Sequence, residues 1–343
     1  VPIHPGDLLA GYRVTALLGR GGMGEVWAAA SEDGAREVAI KVLLPNAALQ
    51  PDLVARFERE ARVTASIESE FVCKLLGHEH DATGAHLLVF EKLTGESLSD
   101  RLRRELYLPF AEVGPIVDDA LRGLGAAHAV GVIHRDLKPG NIFLEWTSDA
   151  DRPERARLLD FGVSKLTRKE KSGKRDEPSL TDFDATLGSF AYMAPEQVRG
   201  AARVDARADL YALGAVAFRA LAGRLPFEGA NAGIIIALKI DRPAPSLADV
   251  TGDQWPTGLE WFLAKALERN PEDRFASAAE ALEAWRGIQP DNWRRRSLPP
   301  PAGTATDTTE DVHPTVTEAG RFAAAVWDGS PTQAGTGDPY EID

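Results

Sequence analysis

The fold class this sequence predicts is α+β and two-lobed, with a small antiparallel-sheet lobe containing one helix followed by a larger, mainly helical lobe. Three observations predict it. Apolar residues alternate with period two in short runs over roughly the first 90 residues, they recur at spacings of three and four beyond Ser97, and the change of period falls near Glu91 to Gly95. In chain order the strands are Tyr12 to Leu18, Glu25 to Ala30, Val38 to Leu43 and Leu87 to Glu91, with an amphipathic helix from Asp52 to Ser66 among them. Helices follow over Pro115 to His128, Ala208 to Leu221 and Gly258 to Glu268. Ser277-Ala278-Ala279-Glu280 has a hydroxyl and, three residues on, a carboxylate, the pattern of a capping box opening a last helix through Leu282 and Trp285. No internal repeat interrupts this order. The expected units are an extension over 1–11, a folded unit over 12–288 divided into lobes 12–91 and 96–288, and a tail over 289–343.

Composition narrows the function classes. With 343 residues and 44% hydrophobic content, the chain can bury a substantial core without covalent staples. Its one cysteine, Cys73, excludes an internal disulfide and points to a reducing, cytoplasmic setting. No apolar run approaches the roughly 18 residues that would span a bilayer, and no basic start leads into an apolar stretch. A net charge of −13 argues against an extended nucleic-acid surface. That charge is uneven: from Ser297 to Asp343 there are eight acids and one base, in a Pro, Thr, Gly and Asp composition that predicts a disordered tail.

Two motifs carry the chemistry. His134-Arg135-Asp136-Leu137-Lys138-Pro139-Gly140-Asn141 places an acid, a cation and an amide oxygen at offsets suited to phosphoryl transfer, and Asp160-Phe161-Gly162 follows 24 positions after Asp136. Earlier, Gly19-Arg20-Gly21-Gly22-Met23-Gly24 is a GxGxxG pattern, which on its own also fits a dinucleotide turn. A dinucleotide fold would open a helix here. Glu25-Val26-Trp27-Ala28 instead continues as an alternating strand, so the glycines belong to a hairpin able to lie over phosphates.

Together these segments, with Val38-Ala39-Ile40-Lys41 and Ala194-Pro195-Glu196 in the same order, resemble the protein-kinase catalytic core. The wording GGMGEVW, LKPGNIF and YMAPEQ is specifically similar to the eukaryotic-like bacterial serine/threonine kinases, and the resemblance runs from about Tyr12 to Ile288. It implies ATP and Mg2+ as cofactors and proteins as substrates. Asp136 is implied as the catalytic base, Lys138 as a cation on the γ-phosphate, and Lys41 as the contact to the α- and β-phosphates. Glu60 is the implied partner of Lys41, with Glu58 as its rival. Helical geometry sets these two about 200° apart, and Phe57, Ala61 and Thr64 lie on the Glu60 side. Asn141 and Asp160 are the implied magnesium ligands. Gly19, Gly21 and Gly24 would cover the phosphates, while Leu18, Val26 and Ala39 above and Phe143 below would enclose adenine. Phe90 would stand at the back, Glu91 to Leu93 would offer backbone hydrogen bonds, and Glu96 would reach the ribose. Glu196 would pair with Arg274, and Asp209 would brace the catalytic loop.

The same resemblance implies a switch. Arg135 beside the base is matched by an activation segment whose acceptors would be Thr181 and Thr186, with Ser189 facing Asp136 and Lys138. Six cations between Lys165 and Arg175 read as an inserted loop. In the tail, Thr304 and Thr308 each precede an Asp by three residues, a spacing open to phosphothreonine-reading forkhead-associated-domain partners. Dimerisation through the small lobe is a further possibility carried by the family. The competing readings are a catalytically silent ATP-binding scaffold and a small-molecule phosphotransferase. The complete catalytic set opposes the first, and the long activation segment opposes the second.

Overall fold

A computed structural model of the protein describes residues 2–20, 24–81, 84–161, 187–198, 200 and 204–288. Gly21, Gly162, the Lys165 to Arg175 cations, Thr181, Thr186 and both tail threonines lie outside the described residues.

The small lobe is built on an antiparallel sheet of β1 (Leu8–Leu9), β2 (Tyr12–Arg20), β3 (Gly24–Ser31), β4 (Glu37–Leu43), β5 (Leu75–His80) and β6 (His86–Glu91), in the order β1-β2-β3-β4-β6-β5. β2 and β3 form the expected glycine hairpin, with Gly19 opposite Val26 and Arg20 opposite Glu25. Period-two alternation does the sorting. Val38, Ile40 and Val42 of β4 enter one apolar cluster with Val14, Trp27, Leu87 and Val89. Ala39, Lys41 and Leu43 consequently face the other side, where Leu43 and Leu88 pack with Phe57 and Ala61 of helix α2 (Pro51–Ala65). A four-residue helix, α1 (Pro45–Ala48), precedes α2. Sequence periodicity misses β1 and β5. β1 is two residues long, and β5 carries Gly77, His78, Glu79 and His80, which break the apolar alternation.

A second, three-stranded sheet of β7 (Gly95–Ser97), β8 (Ile142–Trp146) and β9 (Glu154–Leu158) forms the floor below the first. The chain crosses onto it at Gly95, whose φ is +151° and where a Cβ would lie 1.9 Å from the carbonyl oxygen of Leu144, so no side chain fits. Arg157 of β9 pins the crossing. It is buried, donates to the carbonyl of Val72 at 3.0 Å and to Glu145 at 2.8 Å, and bonds the Glu91 carboxylate.

Helices α3 (Leu98–Glu105), α4 (Phe110–Ala129), α5 (Leu187–Tyr192), α6 (Pro195–Val198), α7 (Arg207–Ala222), α8 (Ala232–Asp241), α9 (Leu247–Thr251), α10 (Thr257–Ala266) and α11 (Ala278–Arg286) make up the large lobe. α7 is buried on nearly every side, as a helix apolar all round must be, and is the centre of the core. α4 packs Val113, Ile116, Val117, Ala120, Leu121, Leu124 and Ala127 against that core at spacings of three and one. It starts at Phe110, five residues before the expected Pro115, so the proline lies inside the helix, where it has no N–H to give the carbonyl four residues back. At α11 the capping box is half formed. The Ser277 hydroxyl accepts from the Glu280 N–H at 3.2 Å, but the Glu280 carboxylate accepts from Ala276 at 2.7 Å. The reciprocal box is at Ser246 and Asp249, opening α9.

Candidate active site

The cleft between the lobes is lined by Leu18, Val26 and Ala39 from the upper sheet, Phe90 to Leu93 from the connection, Phe143 from the floor, and Lys41 and Asp160 at its inner end. Cys73, buried, also borders it, and burial pushes its thiol pKa far up, which makes it an inert wall. Gly24 brings the glycine hairpin down onto β4. A Cβ there would sit 2.5 Å from the carbonyl oxygen of Val42, so only glycine permits the approach.

Because Lys41 faces α2, its ammonium meets Glu60 Oε1 at 2.6 Å and Asp160 Oδ1 at 3.1 Å. Burial alone would push the Lys41 pKa down. The charges of Asp160 and Glu60 and their hydrogen bonds outweigh burial, so it is raised and the cation is held. Glu60 is buried on α2 and Glu58 is not, which decides between the two rivals geometrically.

Below, the catalytic loop is tied by its backbone. Asp209 of α7, 1% exposed, accepts from the N–H groups of His134 and Arg135 at 2.8 Å each and pairs with His128 at 2.8 Å. Arg135 has φ +65°, a left-handed conformation costly for a non-glycine residue, and Gln197 holds its carbonyl at 2.9 Å. Lys138 lies 3.3 Å from Asp136 Oδ2. Asn141 donates from Nδ2 to the carbonyl of Asp136 at 2.8 Å, which leaves its amide oxygen as the ligating atom. A carboxylate and an amide oxygen are hard donors, and this pair fits magnesium. Asp160 has φ +46° and turns its carboxylate to Lys41, while Phe161 is buried against His134 with ring centroids 4.7 Å apart.

The Protein kinase domain family matches residues 12–285. The chain belongs to the protein kinase family. It is 36% identical over 274 residues to serine/threonine-protein kinase Pkn3 of Myxococcus xanthus, covering 80% of this chain and 49% of that protein. It is 33% identical over 288 residues to PknF of Mycobacterium tuberculosis, covering 83% of this chain and 57% of that protein. The solved kinase domain of Mycobacterium tuberculosis PknI matches with a TM-score of 0.60 and 28% identity over 83% of this chain and 99% of that one. The chain thus has the two-lobed kinase fold and is similar over most of its length to bacterial serine/threonine kinases. It spans about half the length of these curated relatives.

Glu96 carries two ion pairs that the sequence reading does not include. Its carboxylate is taken by Arg101 at 2.6 Å and Arg104 at 2.8 Å, and hydrogen bonding from Arg104 first, then Arg101, holds its pKa down to about 2. A ribose contact from Glu96 has to compete with both guanidinium groups. The expected pair of Glu196 and Arg274 is bidentate, at 2.8 Å on both arms.

Two supports escape sequence reading, Gln197 and Lys239. Lys239 of α8 is buried, and its Nζ donates to the carbonyls of Phe190, Ala191 and Met193 at 2.9, 2.8 and 2.7 Å. Burial, then the Arg274 cation, pushes its pKa down to about 7, yet three acceptors need three N–H bonds and only the ammonium carries them. The one signal in the sequence is a lysine within the apolar run Ile234 to Ile240. Lys239→Met leaves three buried carbonyls without a donor. It should cost roughly 3 kcal/mol of stability, read as a lowered urea midpoint, and should raise KM for a peptide more than KM for ATP.

His134 gives a pH dependence. Burial holds its pKa below the ordinary imidazole value, and the neutral ring donates from Nε2 to Leu159 O at 2.9 Å. With the folded pKa below the unfolded one, the unfolded chain binds the extra proton, so stability falls as pH drops through about 6.5. Urea midpoints should be lower at pH 5.5 than at 7.5, with a shallower dependence in His134→Phe.

Proposed function

We propose that this chain transfers the γ-phosphoryl group of ATP to serine or threonine hydroxyls of protein substrates, with its catalytic unit over residues 12–288. The observation that carries the reading is Lys41 held between Glu60 at 2.6 Å and Asp160 at 3.1 Å at the end of an apolar cleft. Adenine would lie between Leu18, Val26 and Ala39 on one side and Phe143 on the other, with the carbonyl of Glu91 and the N–H of Leu93 as its polar contacts. The backbone around Gly19, Gly21 and Gly24 would cover the phosphates, and Lys41 would hold the α- and β-phosphates. Asn141 and Asp160 would hold magnesium, which supplies neutralisation of the charge that develops on the transferring phosphoryl oxygens.

Asp136 would accept the hydrogen bond of the incoming hydroxyl and take its proton as the phosphorus–oxygen bond to ADP breaks. Lys138, beside that carboxylate, would offset charge on the γ-phosphate. A polypeptide acceptor is supported by the Ala194-Pro195-Glu196 segment, from which Gln197 reaches the carbonyl of Arg135, next to Asp136, at 2.9 Å.

Activation would come from phosphorylated Thr181 or Thr186. The support is Arg135, whose buried Nε and Nη1 have no hydrogen-bond partner among the described residues and which lies close enough to Arg59 to feel its charge. Two neighbouring cations await an anion. A cytoplasmic location, forkhead-associated-domain partners at Thr304 or Thr308, and a homodimer complete the proposal. Among the described residues no helix is long and apolar enough to cross a membrane. The test is mass spectrometry after incubation with ATP, Mg2+ and a generic basic protein. Phosphate should appear on serine and threonine only, including Thr181 or Thr186, and nucleotide binding without any transfer would make the chain a silent scaffold instead.

A further inference from the structure

The outer end of the small lobe carries a histidine cluster for which the kinase reaction has no use. His78 and His80 stand two residues apart on β5 and therefore on one face, and His86 of β6 pairs directly opposite His80. The three rings are mutual neighbours, with centroids 5.3, 6.3 and 4.5 Å apart, and one ligating nitrogen of each lies within 4.8 Å of the others. His78 and His80 are exposed and His86 is half-buried. His86 Nδ1 is buried without a hydrogen-bond partner. A polar atom left unpaired beside two further imidazoles is costly in a purely structural role.

We propose that His78, His80 and His86 form a binding site for a transition-metal dication of zinc's class, separate from the magnesium ligands of the cleft. Imidazole nitrogens are borderline donors that suit zinc, copper or nickel and are poor ligands for magnesium. Two nitrogens bound to one tetrahedral zinc at about 2.0–2.1 Å each lie about 3.4 Å apart. The widest pair therefore has to close by at most about 1.4 Å, a movement for which the two exposed rings have room to rotate. Glu58 of α2 and Glu79 of β5 both lie near enough to His78 to act on its charge, so a carboxylate is at hand for the fourth position.

The site adjoins the catalytic apparatus. Phe57 of α2 makes edge contacts to His78 and His86, with centroids 6.5 and 6.4 Å away, and Glu60 follows it by one turn of the same helix. Metal at the cluster would lock the β5–β6 hairpin against the helix that presents Glu60 to Lys41.

The test is calorimetric titration of the chain with Zn2+ in excess Mg2+ and a non-hydrolysable ATP analogue, which together occupy the cleft. The parent should bind one equivalent at micromolar zinc, and thermal unfolding should move up with zinc in the same buffer. His78→Gln, His80→Gln and His86→Gln, made singly, should each weaken binding at least tenfold and remove the thermal shift. The two exposed positions keep the test independent of any folding defect at His86. Co2+ in place of Zn2+ should give the strong visible bands of a tetrahedral site in the parent only. Binding confined to millimolar zinc, or unchanged in the three variants, would overturn the proposal while leaving the kinase reading intact.

Discussion

Asp136→Ala is expected to lower phosphoryl transfer about 10³-fold, equivalent to about 4 kcal/mol of transition-state stabilisation, with little change in KM for ATP. The specificity of that outcome comes from how the loop is built. The backbone of Asp136 ties it into the loop: its carbonyl accepts from Asn141 at 2.8 Å, and its N–H faces His134 Nδ1 at 3.4 Å, while its carboxylate lies 3.3 Å from Lys138. Asp209 and Gln197 hold the preceding residues through their own backbone groups. Truncating the side chain at Cβ therefore removes the carboxylate that orients the acceptor and leaves Asn141 and Asp160 in place. Transfer of labelled γ-phosphate, measured over a range of ATP concentrations, separates kcat from KM. A variant within tenfold of the parent rate would mean that another group aligns the hydroxyl. A variant with an equally damaged KM would mean that the loop had collapsed.

Lys41→Met is expected to be comparably damaging to kcat, by at least 10²-fold, and more damaging to the fold than Glu60→Gln. The asymmetry follows from the charges. Removing Lys41 leaves two carboxylates, Glu60 and Asp160, facing the same space without a cation, and Glu60 is nearly inaccessible to water. Breaking one side of a buried ion pair costs about 3–5 kcal/mol, although protonation of Glu60, whose pKa burial already raises, gives some of that back. Glu60→Gln instead leaves Lys41 paired to Asp160 at 3.1 Å and keeps an acceptor near the ammonium. Urea unfolding should rank parent above Glu60→Gln above Lys41→Met, and the gap between the variants should narrow at pH 5, where Glu60 is more readily neutral. A reversed order would show that Asp160 alone cannot hold Lys41 once the Glu60 charge is gone.

Much of this site is legible before any coordinates because phosphoryl transfer concentrates its charged residues in short segments with local geometry. Lys41 is singled out by the resemblance of Val38-Ala39-Ile40-Lys41 to a kinase strand, and Glu60 by the same resemblance together with the face it shares with Phe57 and Ala61. Asp136 and Asn141 are singled out by the resemblance of the run His134 to Asn141 to the kinase motif. What escapes is contact between distant segments through backbone groups. Lys239 reaches three carbonyls nearly fifty residues away, and a carbonyl leaves no trace in residue identity. The partners of Glu96 escape for a related reason, since Arg101 and Arg104 look like ordinary surface charges on α3. In the fold itself, β5 is hidden because its outer residues are histidine and glutamate. The polar composition that obscures the strand is the same composition that builds the histidine cluster.

The buried guanidinium of Arg157 has a mechanical consequence. It fastens the strap between the lobes to the lower sheet at Glu91 and Val72. One cation shared by Glu91, Glu145 and the Val72 carbonyl thus fixes where the upper sheet meets the lower one, so the joint between the two sheets depends on a single residue of β9.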